Sequence, residues 1–146
     1  MTEATDLTAL AARLATLEAH AELWNLIARY ANAVDDRDYE ALGLMFTDDA
    51  VFDSSSGDHV QGATEVVDYL RIRAATDQWR IHAPTQLVLT ALSPSAADGI
   101  VSGFAVRKLA DGGQRTFGLR YRDRYHKTDS GWRFHRRAVY DIKHIS

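Results

Sequence analysis

The stretch Ile27-Ala28-Arg29-Tyr30-Ala31-Asn32-Ala33-Val34-Asp35-Asp36-Arg37-Asp38-Tyr39 decides how this chain is read. Ile27, Ala31 and Val34 continue an apolar stripe that begins at Leu7 and passes through Leu10, Leu14, Leu17, Ala21 and Trp24. Steps of three and four residues trace one face of a helix. No proline or glycine interrupts the first thirty-five residues, and alanine and leucine dominate them, so propensity agrees with pattern. One long helix, or two with a bend near Thr16 to Glu18, fits equally well. The early part is too short to be stable without packing and is expected to cover the domain or a partner subunit. On a helical wheel Tyr30 and Asp35 border the stripe on opposite sides, about 140° apart, so both would edge a pocket beneath the helix. Asp38 reads as the N-cap of a second helix, Tyr39 to Phe46.

Working outward, Ala50 to Asp53 is a short apolar strand, Ser54 to Asp58 a turn, and His59-Val60-Gln61 a return strand. Gly62 breaks the pattern, and Thr64 to Thr76 resumes helical spacing through Val67, Leu70 and Ala74. After Trp79 the period changes to two. Arg80 to Leu92, Gly99 to Leu109, Gln114 to Lys127 and Trp132 to Lys143 are long strands, separated by Ser93-Pro94-Ser95, Asp111-Gly112-Gly113 and Asp129-Ser130-Gly131. Four strands joined by tight turns make an antiparallel meander. Helices first and sheet second is an α+β layout, here a single domain over residues 1–146 with 1–17 as a helical extension.

Composition narrows the function classes. A hydrophobic content of 46% and a charged content of 25% are those of a globular protein. The net charge of -3 supplies no basic field, which argues against a nucleic-acid partner. The absence of cysteine excludes disulfides and thiolate metal sites. An acidic amino terminus and no long apolar run lead to the expectation of a cytoplasmic protein with no membrane association.

Ile27-Ala28-Arg29-Tyr30 through Val34-Asp35, Asp38-Tyr39, Phe46-Thr47-Asp48-Asp49-Ala50, Gly62, Tyr121-Arg122-Asp123 and Gly131-Trp132-Arg133-Phe134 together resemble SnoaL-like domains of the nuclear-transport-factor-2-like superfamily. The resemblance runs from residue 17 to the end. It implies a cystatin-like cone, in which N-terminal helices pack in a curved, mainly antiparallel sheet, and a homodimer or homotrimer. The superfamily includes ketosteroid isomerase, limonene-epoxide hydrolase, polyketide cyclases, scytalone dehydratase, a bile-acid dehydratase and a lindane dehydrochlorinase, besides non-catalytic members and dioxygenase small subunits. The dehydrochlorinase and the bile-acid dehydratase use an Asp at the end of the first helix and a His early in the first long strand; Asp35 and His82 match them. The bile-acid dehydratase also uses a Tyr five residues before the Asp, matched by Tyr30, and a late-strand Arg, for which Arg136 is the candidate. The chain departs from three other members. Gly99 to Leu109 holds neither the second His of scytalone dehydratase nor the second buried Asp of ketosteroid isomerase, and the later Asp of the epoxide hydrolase has no clear match.

These residue types suit proton abstraction. A neutral imidazole bonded to a carboxylate through one nitrogen presents the other as a base, and the carboxylate fixes the tautomer. No serine or cysteine is placed as a nucleophile. Tyr30 would donate to a leaving hydroxyl or an enolate. Arg136 shares strand parity with Trp132 and Phe134, so it is expected to face the pocket and hold an anionic or carbonyl group. Trp79, Phe52, Phe104, Phe117 and Tyr121 are the expected apolar walls for a small hydrophobic substrate. His126, His135 and His144 lack a metal motif, so no metal is expected, and no glycine-rich phosphate loop calls for a cofactor. The expected activity is a cofactor-independent lyase or isomerase, dehydration first, with a polyketide-cyclase-type enzyme or a non-catalytic binding protein as alternatives.

Overall fold

The computed structural model describes residues 3–146. One uninterrupted helix, α1 (Glu3–Asp36), is followed by α2 (Tyr39–Leu44), β1 (Phe46–Asp53), β2 (His59–Gln61), α3 (Ala63–Ala74), β3 (Asp77–Leu92), β4 (Ala96–Leu109), β5 (Gln114–Thr128) and β6 (Gly131–His144). Six strands form one sheet in the order β2-β1-β6-β5-β4-β3. Every pairing is antiparallel except β1 with β6, which is parallel. The chain is thus the expected α+β cone, with helices packed in a curved, mainly antiparallel sheet; β1 and β2 come between α2 and α3. Its four long strands match the predicted meander to within a few residues.

The two halves of α1 behave differently. Leu23, Leu26, Ile27, Tyr30, Ala31, Ala33 and Val34 are buried against the sheet, and each large apolar side chain so placed contributes about 1.5–3 kcal/mol. Leu7, Leu10, Leu14 and Leu17 are each more than half exposed. The early part of the helix therefore does not cover its own domain, as one option above had it; it stands off as an arm without a bend.

A backbone clasp ends α1 just past Asp35. Arg37 adopts φ 59°, the Asp38 amide donates to the Ala33 carbonyl at 2.9 Å, and the Arg37 amide donates to Val34 at 3.3 Å. This is a Schellman-type termination with an arginine in the left-handed position. Asp38 then caps α2 through its Oδ1, which accepts from the Ala41 amide at 3.0 Å, as expected. The chain needs no linker between the two helices, and Asp35 is left in the last turn facing β3.

Several irregularities interrupt the strand pairing, and two of them set which charged side chains near the dyad enter the cone. On β6, Tyr125 pairs with Phe134 but Arg124 pairs with Arg136, so one residue, His135, is extra. On β3, Asp77 pairs with Leu109 but Trp79 pairs with Lys108, so Gln78 is extra. Each bulge shifts the in–out alternation by one residue.

Candidate active site inside the cone

Asp35 and His82 meet. Asp35 Oδ1 lies 2.7 Å from His82 Nδ1, and Oδ2 accepts from the His82 backbone amide at 2.8 Å. Both side chains are more than four-fifths buried. The carboxylate binds ring and backbone of the same residue, so it holds the imidazole in one orientation with Nδ1 engaged. His82 then presents its other edge to the interior, where it lines the cavity.

That cavity has a volume of about 460 Å³ and lies between α1, α3 and the concave face of the sheet. Tyr30, Phe52, Phe117, Leu119, Tyr121, Val139 and Ile142 supply its apolar wall, and Arg73, Arg80 and Arg107 lie along it with His82. A volume of this order fits a small organic ligand of roughly 300–1,000 Å³ class. A narrow crevice of about 10 Å³ continues from His82 past Tyr30, Gly103 and Arg137.

Tyr30 is buried, with its ring edge-on to Phe134 at 5.3 Å and to Tyr121 at 6.5 Å. Burial pushes its hydroxyl well above the usual phenol range, reinforced by Tyr121 and only partly opposed by Arg137. The hydroxyl is therefore a neutral hydrogen-bond donor at any ordinary pH.

Arg137 is a fully buried cation. Its guanidinium carbon sits 3.7 Å from the Tyr121 ring centroid, 4.3 Å from Tyr30 and 4.5 Å from Phe134. Nε lies 3.1 Å from Asp123 Oδ1, close but too poorly aligned to form a hydrogen bond, and both terminal nitrogens are buried without a partner. Burial alone would lower its pKa, but the Asp123 carboxylate and the facing tyrosines outweigh that and hold it protonated. Asp123 also accepts from the Tyr125 hydroxyl at 2.8 Å.

Three expected placements are corrected. Arg136 does not face the pocket: the bulge at His135 turns it outward, where it donates to Asp53 Oδ2 through Nε at 2.9 Å and Nη2 at 2.7 Å. Trp79 is also outside and 44% exposed, because Arg80 and His82 take the inward positions of β3 and a residue one or three places away cannot share them. Phe104 is half exposed and off the main cavity, since Val101, Gly103 and Ala105 hold the inward face of β4. Phe52, Phe117 and Tyr121 line the cavity as expected. Arg137, Asp123, Arg80 and Arg107 were not singled out from sequence. A signal existed for Asp123, which alternates with Leu119, Tyr121 and Tyr125 on the buried side of β5.

No cluster of three His, Cys, Asp or Glu side chains suited to a metal ion occurs among the described residues. His126 and His135 stack face to face at 3.9 Å on the outside of the sheet. Among the same residues, no helix is long and apolar enough to cross a membrane.

The helix-in-sheet cone and its buried face define a protein of the nuclear-transport-factor-2-like, cystatin-like fold. Within that class the sequence matches the SnoaL-like domain model over residues 15–138, and the chain belongs to this family. Among solved structures it is similar to an NTF2-like protein with a cystatin-like fold from Novosphingobium aromaticivorans, at 26% identity, covering 92% of this chain and 88% of that one with a TM-score of 0.75. It is similar in fold to the hexachlorocyclohexane dehydrochlorinase LinA-type3 from Novosphingobium barchaimii, at 20% identity, 92% and 94% coverage and a TM-score of 0.80. A scytalone dehydratase-like protein of Novosphingobium aromaticivorans aligns at 16% identity, 90% and 91% coverage and a TM-score of 0.81. Among curated proteins the sequence finds no match.

Proposed function

We propose that the protein is a cofactor-independent lyase that eliminates water, or a comparable small leaving group, from a hydrophobic substrate held in the cone. The observation that carries this reading is the Asp35–His82 pair, bonded at 2.7 Å and 2.8 Å at the edge of the cavity. Fold-level likeness to a dehydrochlorinase supports the class of chemistry by analogy only.

His82 Nε2 takes a proton from a carbon of the substrate, and the C–H electron pair becomes the new C=C bond as the C–O bond breaks. The proton gained by the imidazole is returned to the departing hydroxide, so water leaves and the ring is neutral again. Asp35 stabilises the imidazolium between these two steps. Tyr30 donates a hydrogen bond to the developing negative charge, and Arg137, packed behind the Tyr30 and Tyr121 rings, stabilises it at longer range. A base placed in this way contributes about 10²- to 10⁴-fold in rate.

The test is a screen of hydroxylated steroids, terpenes and aromatic polyketides followed by replacement of His82 with Gln. Turnover of the substrate found is expected to fall at least about 100-fold. Survival within a few-fold removes the dyad. If an Asp35 variant is inactive while His82 is dispensable, a polyketide-cyclase-type reaction replaces elimination.

The exposed leucines of the α1 arm support one further part of this proposal, self-association. Leu7, Leu10, Leu14 and Leu17 alternate steps of three and four, the spacing of a two-helix seam, and a second copy of the same arm is the occupant that this spacing fits.

A further inference from the structure

The wall of the cavity is charged in one sense only. Arg73, Arg80 and Arg107 line it, and no aspartate or glutamate does. Asp77 sits behind them, fully buried, and pairs with Arg80 and with Arg107, whose Nε and Nη2 reach it at 2.9 Å and 2.8 Å. Asp58, held by the Tyr69 hydroxyl at 2.9 Å, is the other acid near Arg73. With Asp35 behind His82 and Arg37, whose guanidinium donates to the Ala74 and Asp77 carbonyls, four guanidinium groups stand against three carboxylates, a net positive field at this end. Arg80 carries a second sign of an absent partner. Nine-tenths of its side chain is buried, and its Nε is buried with no hydrogen-bond acceptor. A buried donor left unpaired is unfavourable unless something fills it.

The position of these groups relative to the dyad is fixed by the strand. Arg80 and His82 are inward-facing neighbours on β3, so their Cα atoms stand roughly 7 Å apart. Phe52, Phe117, Leu119, Val139 and Ile142 supply apolar surface in the same cavity.

We propose that the substrate carries an oxyanion group, a carboxylate or a phosphate, bound by Arg73, Arg80 and Arg107, with its apolar body along the aromatic wall and its reacting carbon at His82. This inference rests on the cavity being the substrate site and narrows the substrate from a hydrophobic molecule to an amphiphilic, anionic one. Arg80 and Arg107 are pre-oriented by Asp77, so the anion meets a fixed pair of donors, while the exposed Arg73 closes over it from α3.

The test is equilibrium binding of three probes with one ring system: 2-naphthylacetate, 2-naphthyl phosphate and 2-(2-naphthyl)ethanol, titrated calorimetrically into the full chain at low salt. At least one anion is expected to bind about tenfold or more tightly than the alcohol, and the tighter of the two identifies the source of the charge. Arg73→Glu leaves the Asp77 cluster intact and is expected to reduce that preference to within about threefold while alcohol binding stays within about twofold. Arg107→Gln, checked by thermal melting, serves as the second variant. Equal affinity for all three probes, failure of both anions to bind, or a preference unchanged in both variants overturns the proposal. His82→Gln is expected to keep the preference whatever happens to turnover, so loss of the dyad reading and loss of the anion site are told apart.

Discussion

Asp35 binds His82 twice, through ring Nδ1 at 2.7 Å and through the backbone amide at 2.8 Å, across forty-seven residues of chain. The second bond makes the contact a clamp as well as a charge pair. An Asp35→Asn substitution keeps an acceptor for the backbone amide but can offer an N–H to Nδ1. The ring would then carry its proton on Nε2 and cease to be a base. Asp35→Asn is therefore expected to lose about 10³- to 10⁴-fold in kcat, as much as His82→Gln. Nitrogen-15 spectra of the imidazole, which need no substrate, should report the change of tautomer.

The second expectation concerns Arg137 and Asp123. Replacing Arg137 by Leu leaves Asp123 buried without its cation, a change that costs about 3–5 kcal/mol. Arg137→Leu combined with Asp123→Asn should recover a large part of the loss of Tm. Activity should not recover with it, because the cation over Tyr30 and Tyr121 is still missing.

Acid sensitivity should centre on Asp77. Burial pushes its pKa up, but hydrogen bonds from Arg107 and the charge of Arg80 prevail and hold the carboxyl below its ordinary 3.8. A depressed carboxylate adds stability that is complete above the unfolded value and is lost as pH falls through the folded one. Wild-type stability is thus expected to decline from about pH 5 downward through this window. Asp77→Asn should be less stable at pH 7 and show a flatter acid limb in denaturant titrations.

Gly103 sits where β4 passes closest to the site strand. A Cβ there would lie 2.6 Å from the Ala83 carbonyl oxygen and 2.9 Å from the Pro84 Cα, both backbone atoms that cannot swing aside. Gly103→Ala should push β3 and β4 apart next to His82. The expected result is a loss of about 1–3 kcal/mol, together with a shift in the His82 resonances.

Self-association should follow the arm. Leu10→Gln with Leu14→Gln removes two leucines that are already 58% and 54% exposed, so the fold of the cone should be untouched. Sedimentation velocity is expected to show a concentration-dependent oligomer in the native protein and a shift toward the monomer in the double variant.

The dyad was legible because Asp35 and His82 match positions that the SnoaL-like resemblance implies, and simple periodicities allow both to face inward. Asp35 borders the helical stripe, and His82 lies on the regular stretch of β3. Asp38 was legible as a cap because capping depends on one side chain and the next three residues. Arg136 and Arg137 were not separable, since the extra residue at His135 has no local sequence signature and appears only when β6 is set against β5. For the arm the sequence left two options, its own domain or a partner subunit, and the structure removes the first. Leucines at helical spacing imply a buried face, but they do not say whether the surface that buries it belongs to the same molecule.

The bulge on β6 has a bearing on how this interior survives change. Deletion of the extra residue, His135, would restore strict alternation and still leave Arg136 opposite Arg124 and Arg137 opposite Asp123, so the same guanidinium stays inward. Insertion and deletion usually exchange the inside and outside of a strand. Here the bulged residue lies outside the register, so its loss would spare the interior charge and would surface instead on the outer face, as lost contacts of His135 to Thr47 and His126.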